Sequence, residues 1–297
     1  MITPKKLTAG DKVGVVATAR KISLNELKQA IEILELWNLN VVLGKFLFEE
    51  EHQFSGSVKQ RADDLQQMID DSSIKAIICA RGGYGTVQIV DKIDFSLLRQ
   101  NPKWIVGYSD ITVLHSHLNT IGIASLHATM PINFISNTSS SLESLKNTLF
   151  GINNTISTSP QQLNRRGKVN AKIVGGNLSI LYSLLGSDSD LDTSGKILFI
   201  EDLDEYLYHV DRMIINMKRN GKFDKLKGLV VGQMSDMNDN DIPFGKTAEE
   251  IISEHIKEYD FPVCFNFPSG HLNDNRAIKL GTDSKLEING KAVVLSQ

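Results

Sequence analysis

Among the residues able to do covalent chemistry, one serine sits where an apolar run gives way to a helical pattern. In KWIVGYSDITVLHSHL the run ends at Gly107-Tyr108, Ser109 follows, and Asp110 opens a helical stretch with Val113 and Leu114. A hydroxyl on such a turn is exposed and lies at the positive end of the helix dipole. The backbone N–H of Asp110 then points toward an oxygen bound beside the serine, which is half of an oxyanion hole. The pattern is not the GxSxG of common esterases, because Ile111 follows Asp110. A serine here also caps helices, so Ser109 alone leaves both roles open.

A serine nucleophile needs a base, and the base needs an acid to orient it. Of seven histidines, His115 and His117 fall on the helical run leading away from Ser109, and His127 closes an apolar run and stays in reserve. His271 lies in the polar loop FPSGHLNDNR, between Pro268-Gly270 and a following strand-like run. Loops at strand ends commonly carry catalytic side chains, though a solvated histidine fits the same place. The acid is sought in KILFIEDLDEYLYHVDRM, where Glu201 and Asp202 stand at the end of an apolar run and Asp204 and Glu205 follow closely. A carboxylate there can accept a ring N–H and stabilise the imidazolium. The fourth segment, Arg81-Gly82-Gly83-Tyr84-Gly85, follows the apolar run KAIICA. Paired glycines let backbone N–H groups approach a negative oxygen, but neither GxGxxG nor GK[ST] supports a nucleotide loop.

The elements that would position these groups alternate between strand and helix. KVGVVAT, VVLG, KAIICA and KWIVGY predict strands, and Ser23/Glu26 and Ser57/Gln60 predict capping boxes at the starts of intervening helices. That alternation predicts βαβ units and a mainly parallel, doubly wound α/β domain over residues 1–150. Residues 151–168 are polar, contain Pro160 and lack an apolar period, so they predict a linker. Residues 169–297 predict a β-rich α/β domain, with strands near 169–174, 196–200, 228–232 and 262–267 and a hairpin at Asn289-Gly290.

Composition narrows the class. The 297 residues are 41% hydrophobic and 23% charged, as in a globular protein, and the formal net charge of −3 provides no general attraction for nucleic acid or anionic membranes. No apolar run approaches the roughly 20 residues that span a bilayer, and the N-terminus lacks a signal peptide's apolar core, so a cytoplasmic protein is expected. Cys79 and Cys264, each in an apolar run, are expected to be buried thiols. No HExxH, EF-hand loop or Cys/His set is present; SDMNDNDIP reads as a solvated loop, and neither metal nor cofactor is expected.

Together RGGYG, GYSDIT, GGNLSIL, FIEDLDEYLYHVDRM and FPSGHLNDNRAIKLG resemble, in order, the LD-carboxypeptidase family of serine peptidases, which includes microcin-immunity peptidases. The resemblance runs from DKVGVVATAR to RAIKLGT. It implies a triad of Ser109, Glu201 and His271, with the backbone N–H groups of Gly83 and Asp110 as oxyanion donors. It also implies a barrel-like C-terminal domain, a cleft between the domains and a homodimer. The expected activity is release of the terminal D-alanine from a murein tetrapeptide during cell-wall recycling. Two alternatives stand beside it: an immunity-type peptidase acting on a peptidyl-nucleotide or related amide, and a non-catalytic muropeptide sensor. The first needs an aromatic side chain to stack on a base, whereas Trp37 and Trp104 read as core.

Overall fold

The computed structural model describes residues 1–297. In the first half, β1 (Lys12–Val16), α1 (Leu24–Leu36), β2 (Asn40–Leu43), α2 (Val58–Asp70), β3 (Ile74–Cys79), α3 (Ser96–Gln100), β4 (Trp104–Gly107), α4 (Thr112–Thr120), β5 (Ser125–His127) and α5 (Ser139–Leu149) follow one another. Both capping boxes form: Ser23 and Ser57 each accept from the backbone N–H three residues on, and Glu26 and Gln60 reach back. The five strands run parallel in the order β5-β4-β3-β1-β2, so the chain winds outward first to one side and then to the other. Helices cover both faces. Leu27, Ala30 and Leu34 of α1 pack with Leu145 and Leu149 of α5 on Val13, Val15 and Ile78. Leu65, Met68 and Ile69 of α2 pack with Val113, Leu114 and Leu118 of α4 on Val16, Ile77 and Ile105. In such sheets the crevice opens at the carboxyl ends of β1 and β3, where the winding reverses.

The second half contains β6 (Thr155–Thr158), β7 (Gly167–Asn177), α6 (Leu178–Ser183), β8 (Ile197–Leu203), α7 (Leu207–Arg219), β9 (Gly228–Ser235), α8 (Ala248–His255), β10 (Val263–Cys264), β11 (Ile278–Leu280), β12 (Asp283–Ile288) and β13 (Val293–Ser296). A seven-stranded sheet runs β10-β9-β8-β7-β12-β13-β6, parallel from β10 to β7 and antiparallel beyond it. The period of two divides β8 cleanly. Leu198 and Ile200 pack under α6, α7 and α8, while Ile197 and Phe199 face a core shared by residues of every strand of this sheet.

Three expectations change here. The sheet does not close into a barrel, because β10 and β6 remain its two ends. The predicted linker 151–168 contains β6, whose Ile156 is buried in that core, so this polar stretch is an edge strand with one inward face. Finally, β11 leaves the second half and pairs antiparallel with β5, giving the first sheet a sixth strand. The Asn289-Gly290 hairpin forms between β12 and β13, with the Asn289 side chain accepting from the N–H groups of Lys291 and Ala292.

Candidate active site

Ser109 is reached through Tyr108, which is extended, and itself adopts φ +62°, a left-handed conformation that costs an L-residue about 1–3 kcal/mol. Its neighbours enforce the turn. A β-carbon on Gly107 would lie 2.8 Å from Cγ1 of Ile111, and one on Gly82 would lie 3.1 Å from Cβ of Ser109. The strained serine therefore stands against the glycine loop that follows β3. The next residue, Asp110, is buried and accepts from the Thr86 N–H at 2.8 Å, tying the serine turn to the far end of that loop. Burial raises the Asp110 pKa, against hydrogen bonds from Thr86 and the positive charge of Arg61.

Arg61, on α2, is only 2% exposed. It donates to the carbonyls of Thr18 (2.8 Å) and Gly85 (2.9 Å) and to Gln88 Oε1 (2.6 Å). The Thr18 and Thr86 hydroxyls share a further 2.8 Å bond. These contacts join the loop after β1 to the loop after β3, across the crevice where the winding reverses.

Four carboxylates lie close together in this stretch of sequence, and strand alternation separates their surroundings. Glu201 continues the Ile197–Phe199 face, and Phe199 packs edge-on against His127 of the first sheet at 4.8 Å. Glu201 is fully buried and its Oε2 lies 2.6 Å from Nδ1 of His271. Asp202 faces the other way, accepting from Asn177 Nδ2, Ser179 N and Leu203 N at 2.8–2.9 Å. Burial, with the neighbouring Glu201 charge, raises its pKa to about 7. Asp204 holds Asn238, and Glu205 lies 2.6 Å from His209. A register shift between β8 and β9 spans Glu201, where Gly232 lacks the side chain that would press on Glu201 Cβ at 3.0 Å.

The histidine loop is equally constrained. Gly270 has φ +117°, and a β-carbon there would meet Glu201 Oε2 at 2.7 Å. Its N–H donates to Asn275 Oδ1 (2.9 Å), Ser269 Oγ donates to the Arg276 carbonyl (2.9 Å), and Ser235 Oγ donates to the His271 carbonyl (2.5 Å). The His271 ring lies 4.9 Å from the ring of Tyr108, the residue before the serine. Burial lowers the His271 pKa, but the charge and hydrogen bond of Glu201, helped by Asp202, outweigh it and the net shift is upward. The imidazole is thus bonded to the buried carboxylate and packs on Tyr108, next in sequence to the serine. Ser109 Oγ makes no hydrogen bond to His271 in this structure, and the second carboxylate oxygen, Oε1, has no partner.

The other histidines have structural places. His115 bonds Ser125 Oγ and the Gly107 carbonyl, and burial drops its pKa to about 4. His117 bonds Ser189. His127, the reserve candidate, is wholly buried without a hydrogen-bond partner, and burial holds its pKa well below the usual value. Cys79 and Cys264 are buried free thiols, with burial pushing each pKa up to about 12. Trp104 is buried and donates to the Lys5 carbonyl; Trp37 packs near Phe134.

Sequence reasoning named GGNLSIL without giving it a task. A β-carbon on Gly176 (φ +148°) would meet Thr112 Oγ1 at 2.5 Å, and the Asn177 N–H donates to that hydroxyl at 2.9 Å. Because Asn177 also pairs with Glu201 across β7 and β8, this glycine docks the start of α4, three residues after Ser109, onto the strand beside the acid. Paired glycines in an otherwise strand-like run were the available signal.

Comparisons with known proteins match both halves of the chain. Residues 13–128 match the LD-carboxypeptidase N-terminal domain and residues 170–286 the LD-carboxypeptidase C-terminal domain. A Bacillus subtilis (strain 168) protein named "Probable murein peptide carboxypeptidase" is 35% identical, over 98% of this chain and 93% of its own length. The crystal structure of muramoyltetrapeptide carboxypeptidase from Oxalobacter formigenes superposes with a TM-score of 0.88 at 25% identity, covering 96% of this chain and 98% of that one. The microcin C7 self-immunity protein in its wild-type apo state shares the fold, with a TM-score of 0.89 at 21% identity and coverage of 100% and 99%. With both halves matched in order and a relative above 30% identity along nearly its whole length, the chain belongs to the LD-carboxypeptidase family.

Proposed function

We propose that this chain is a serine carboxypeptidase that hydrolyses the L,D-peptide bond releasing the terminal D-alanine of a murein tetrapeptide. The observation that carries the mechanism is the 2.6 Å bond from the buried Glu201 to His271 Nδ1, beside the strained Ser109 turn. With Nδ1–H held by the carboxylate, Nε2 is the free basic nitrogen. It takes the Ser109 proton as Oγ bonds to the scissile carbonyl carbon, and Glu201 stabilises the resulting imidazolium. Backbone N–H groups of Gly83 and Asp110 receive the oxyanion. His271 then passes its proton to the leaving amine as the C–N bond breaks. Water, deprotonated by the same imidazole, resolves the acyl-enzyme and regenerates the Ser109 hydroxyl.

In this proposal residues 1–150 contribute the nucleophile and residues 169–297 its partners. The names of the Bacillus subtilis and Oxalobacter formigenes relatives support a murein peptide as substrate. We extend the proposal, on the family resemblance, to a cytoplasmic homodimer acting in cell-wall recycling; no helix is long and apolar enough to cross a membrane. A second reading, an immunity-type peptidase acting on a peptidyl-nucleotide, is favoured by one feature: Tyr206 and Tyr208, both exposed with ring centroids 5.6 Å apart, shortly after Glu201.

The test is mass spectrometry of the protein incubated with L-Ala-D-Glu-meso-diaminopimelate-D-Ala, with Ser109→Ala as the control. Loss of one D-alanine in the wild type alone is expected. No loss in either protein sinks the murein reading, and equal loss in both removes Ser109 from the mechanism.

A further inference from the structure

A carboxypeptidase must tell the end of a peptide from its middle, and the mark of the end is a carboxylate one residue beyond the scissile bond. That mark needs a cation about one residue step, ~3.8 Å, past the reacting carbonyl, plus the span of an ion pair. The cationic side chains around the glycine loop are almost all committed. Arg61 is buried on backbone carbonyls and Gln88. Arg81 donates to the Lys21 carbonyl and lies 3.9 Å from Glu26. Lys21 pairs with Glu50 at 2.5 Å. On the histidine side Arg276 is held by both oxygens of Asp274 at 2.9 Å.

Arg20 is different. It follows β1 at the crevice, is exposed, and its guanidinium forms neither an ion pair nor a hydrogen bond with the protein. Its stem lies across the glycine loop: a β-carbon on Gly83 would meet Arg20 Cδ at 2.6 Å, Cγ at 2.7 Å and Nε at 3.1 Å. The preceding glycine, Gly82, is the one packed against Ser109 Cβ. Arg20 therefore occupies the next position along the same loop from the nucleophile. Its backbone is held too. Arg20 bridges Phe54, Ser55 donates to the Ala19 carbonyl, and Arg61 binds both Thr18 and Gly85. A guanidinium on an anchored stem, with its donors unspent, suits bidentate capture of a carboxylate.

We infer that Arg20 reads the free C-terminal carboxylate of the substrate and so restricts the enzyme to the last residue of a peptide. It rests on the carboxypeptidase proposal for the role of that carboxylate, and its test is therefore a binding measurement that needs no turnover. In the Ser109→Ala background, calorimetry compares L-Ala-D-Glu-meso-diaminopimelate-D-Ala with its C-terminal amide, for Arg20, Arg20→Gln and Arg20→Lys. A charge-assisted bidentate contact is worth roughly 10- to 100-fold in affinity. The acid should bind tighter than the amide by that factor with Arg20 present. In Arg20→Gln the preference should vanish, with amide affinity little changed, and Arg20→Lys should recover part of it. A preference that survives in Arg20→Gln, or acid and amide binding equally to the Arg20 protein, overturns the assignment. If the preference tracks Arg20 while wild-type protein releases no D-alanine, carboxylate capture stands and the cleavage proposal falls.

Discussion

Replacing Gly176 with alanine tests whether the two sheets are registered at the glycine on Thr112. Three costs arise from the structure. The backbone at φ +148° is one that L side chains rarely adopt, a strain of about 1–3 kcal/mol. The new methyl would stand 2.5 Å from Thr112 Oγ1 and 2.8 Å from Cγ2, so α4 or β7 must move; overpacking of this kind costs roughly 1–3 kcal/mol. That movement stretches the 2.9 Å bond from Asn177 N–H to Thr112, worth about 1 kcal/mol. The expected loss is about 3–7 kcal/mol, or roughly 5–10 °C in Tm for a protein of this size. Thermal unfolding followed by circular dichroism measures it, with D-alanine release measured alongside. Since Thr112 lies three residues beyond Ser109, activity at a temperature where the variant is fully folded should also fall. The companion Thr112→Ala removes both atoms in the way. Combined with Gly176→Ala it should cost less than the two single changes together, because the overpacking is relieved and the bond from Asn177 N–H is lost only once, leaving that loss and the backbone strain. Strict additivity, or a Gly176→Ala protein within about 1 kcal/mol of wild type, would refute the close-contact argument.

Glu201→Gln keeps the shape of the acid and removes its charge; by analogy with other triads kcat should fall roughly 10²- to 10⁴-fold. The base must be neutral to act, and its pKa is raised by Glu201, so the acid limb of kcat/KM for the wild type should lie above the ordinary histidine value of about 6.5. In the variant burial is no longer outweighed and the limb should move to lower pH; an unmoved limb assigns it to another group. Arg61→Met leaves the Thr18 and Gly85 carbonyls buried without their donor, which should cost about 2–4 kcal/mol in a denaturation experiment. It should also lower kcat by loosening the glycine loop; full stability and full activity together would show the two loops to be held by other means.

Much of this site was legible in sequence because its parts sit at strand ends. The runs ending at Gly107 and Ile200 announce strands, and the residues just past the carboxyl end of such a strand lie at the crevice edge. The residues alone left Glu201 and Asp202 open, and only the family resemblance chose Glu201; the pleat supplies a physical reason, since adjacent residues face opposite sides. The Gly176 contact was invisible because its partner, Thr112, lies 65 residues away from Asn177 in sequence. Residues 155–158 and 278–280 escaped notice for a related reason. Four residues with one buried side chain, and three residues reading IKL, carry too short a pattern to be a strand until a neighbouring strand supplies the hydrogen bonds. The polar stretch at 151–168 was read as a linker on composition, which describes the solvent-facing side of an edge strand equally well.

The last strand of the first sheet has a consequence for how the chain is made. Residues 1–150 leave the ribosome with β5 as an open edge, its N–H and C=O groups unpaired, because Ile278–Leu280 has yet to be synthesised. At ordinary elongation rates that interval lasts roughly ten to thirty seconds. During it the nascent half is a sheet awaiting its border, exposed to edge-to-edge pairing with a neighbour on the same polysome. Only two residues, Gly281 and Thr282, then separate the strand that seals this edge from β12 of the other sheet. Sealing the first sheet and threading the second are thus nearly a single late event, and a ribosome stalled before residue 278 would hold a chain with neither sheet complete.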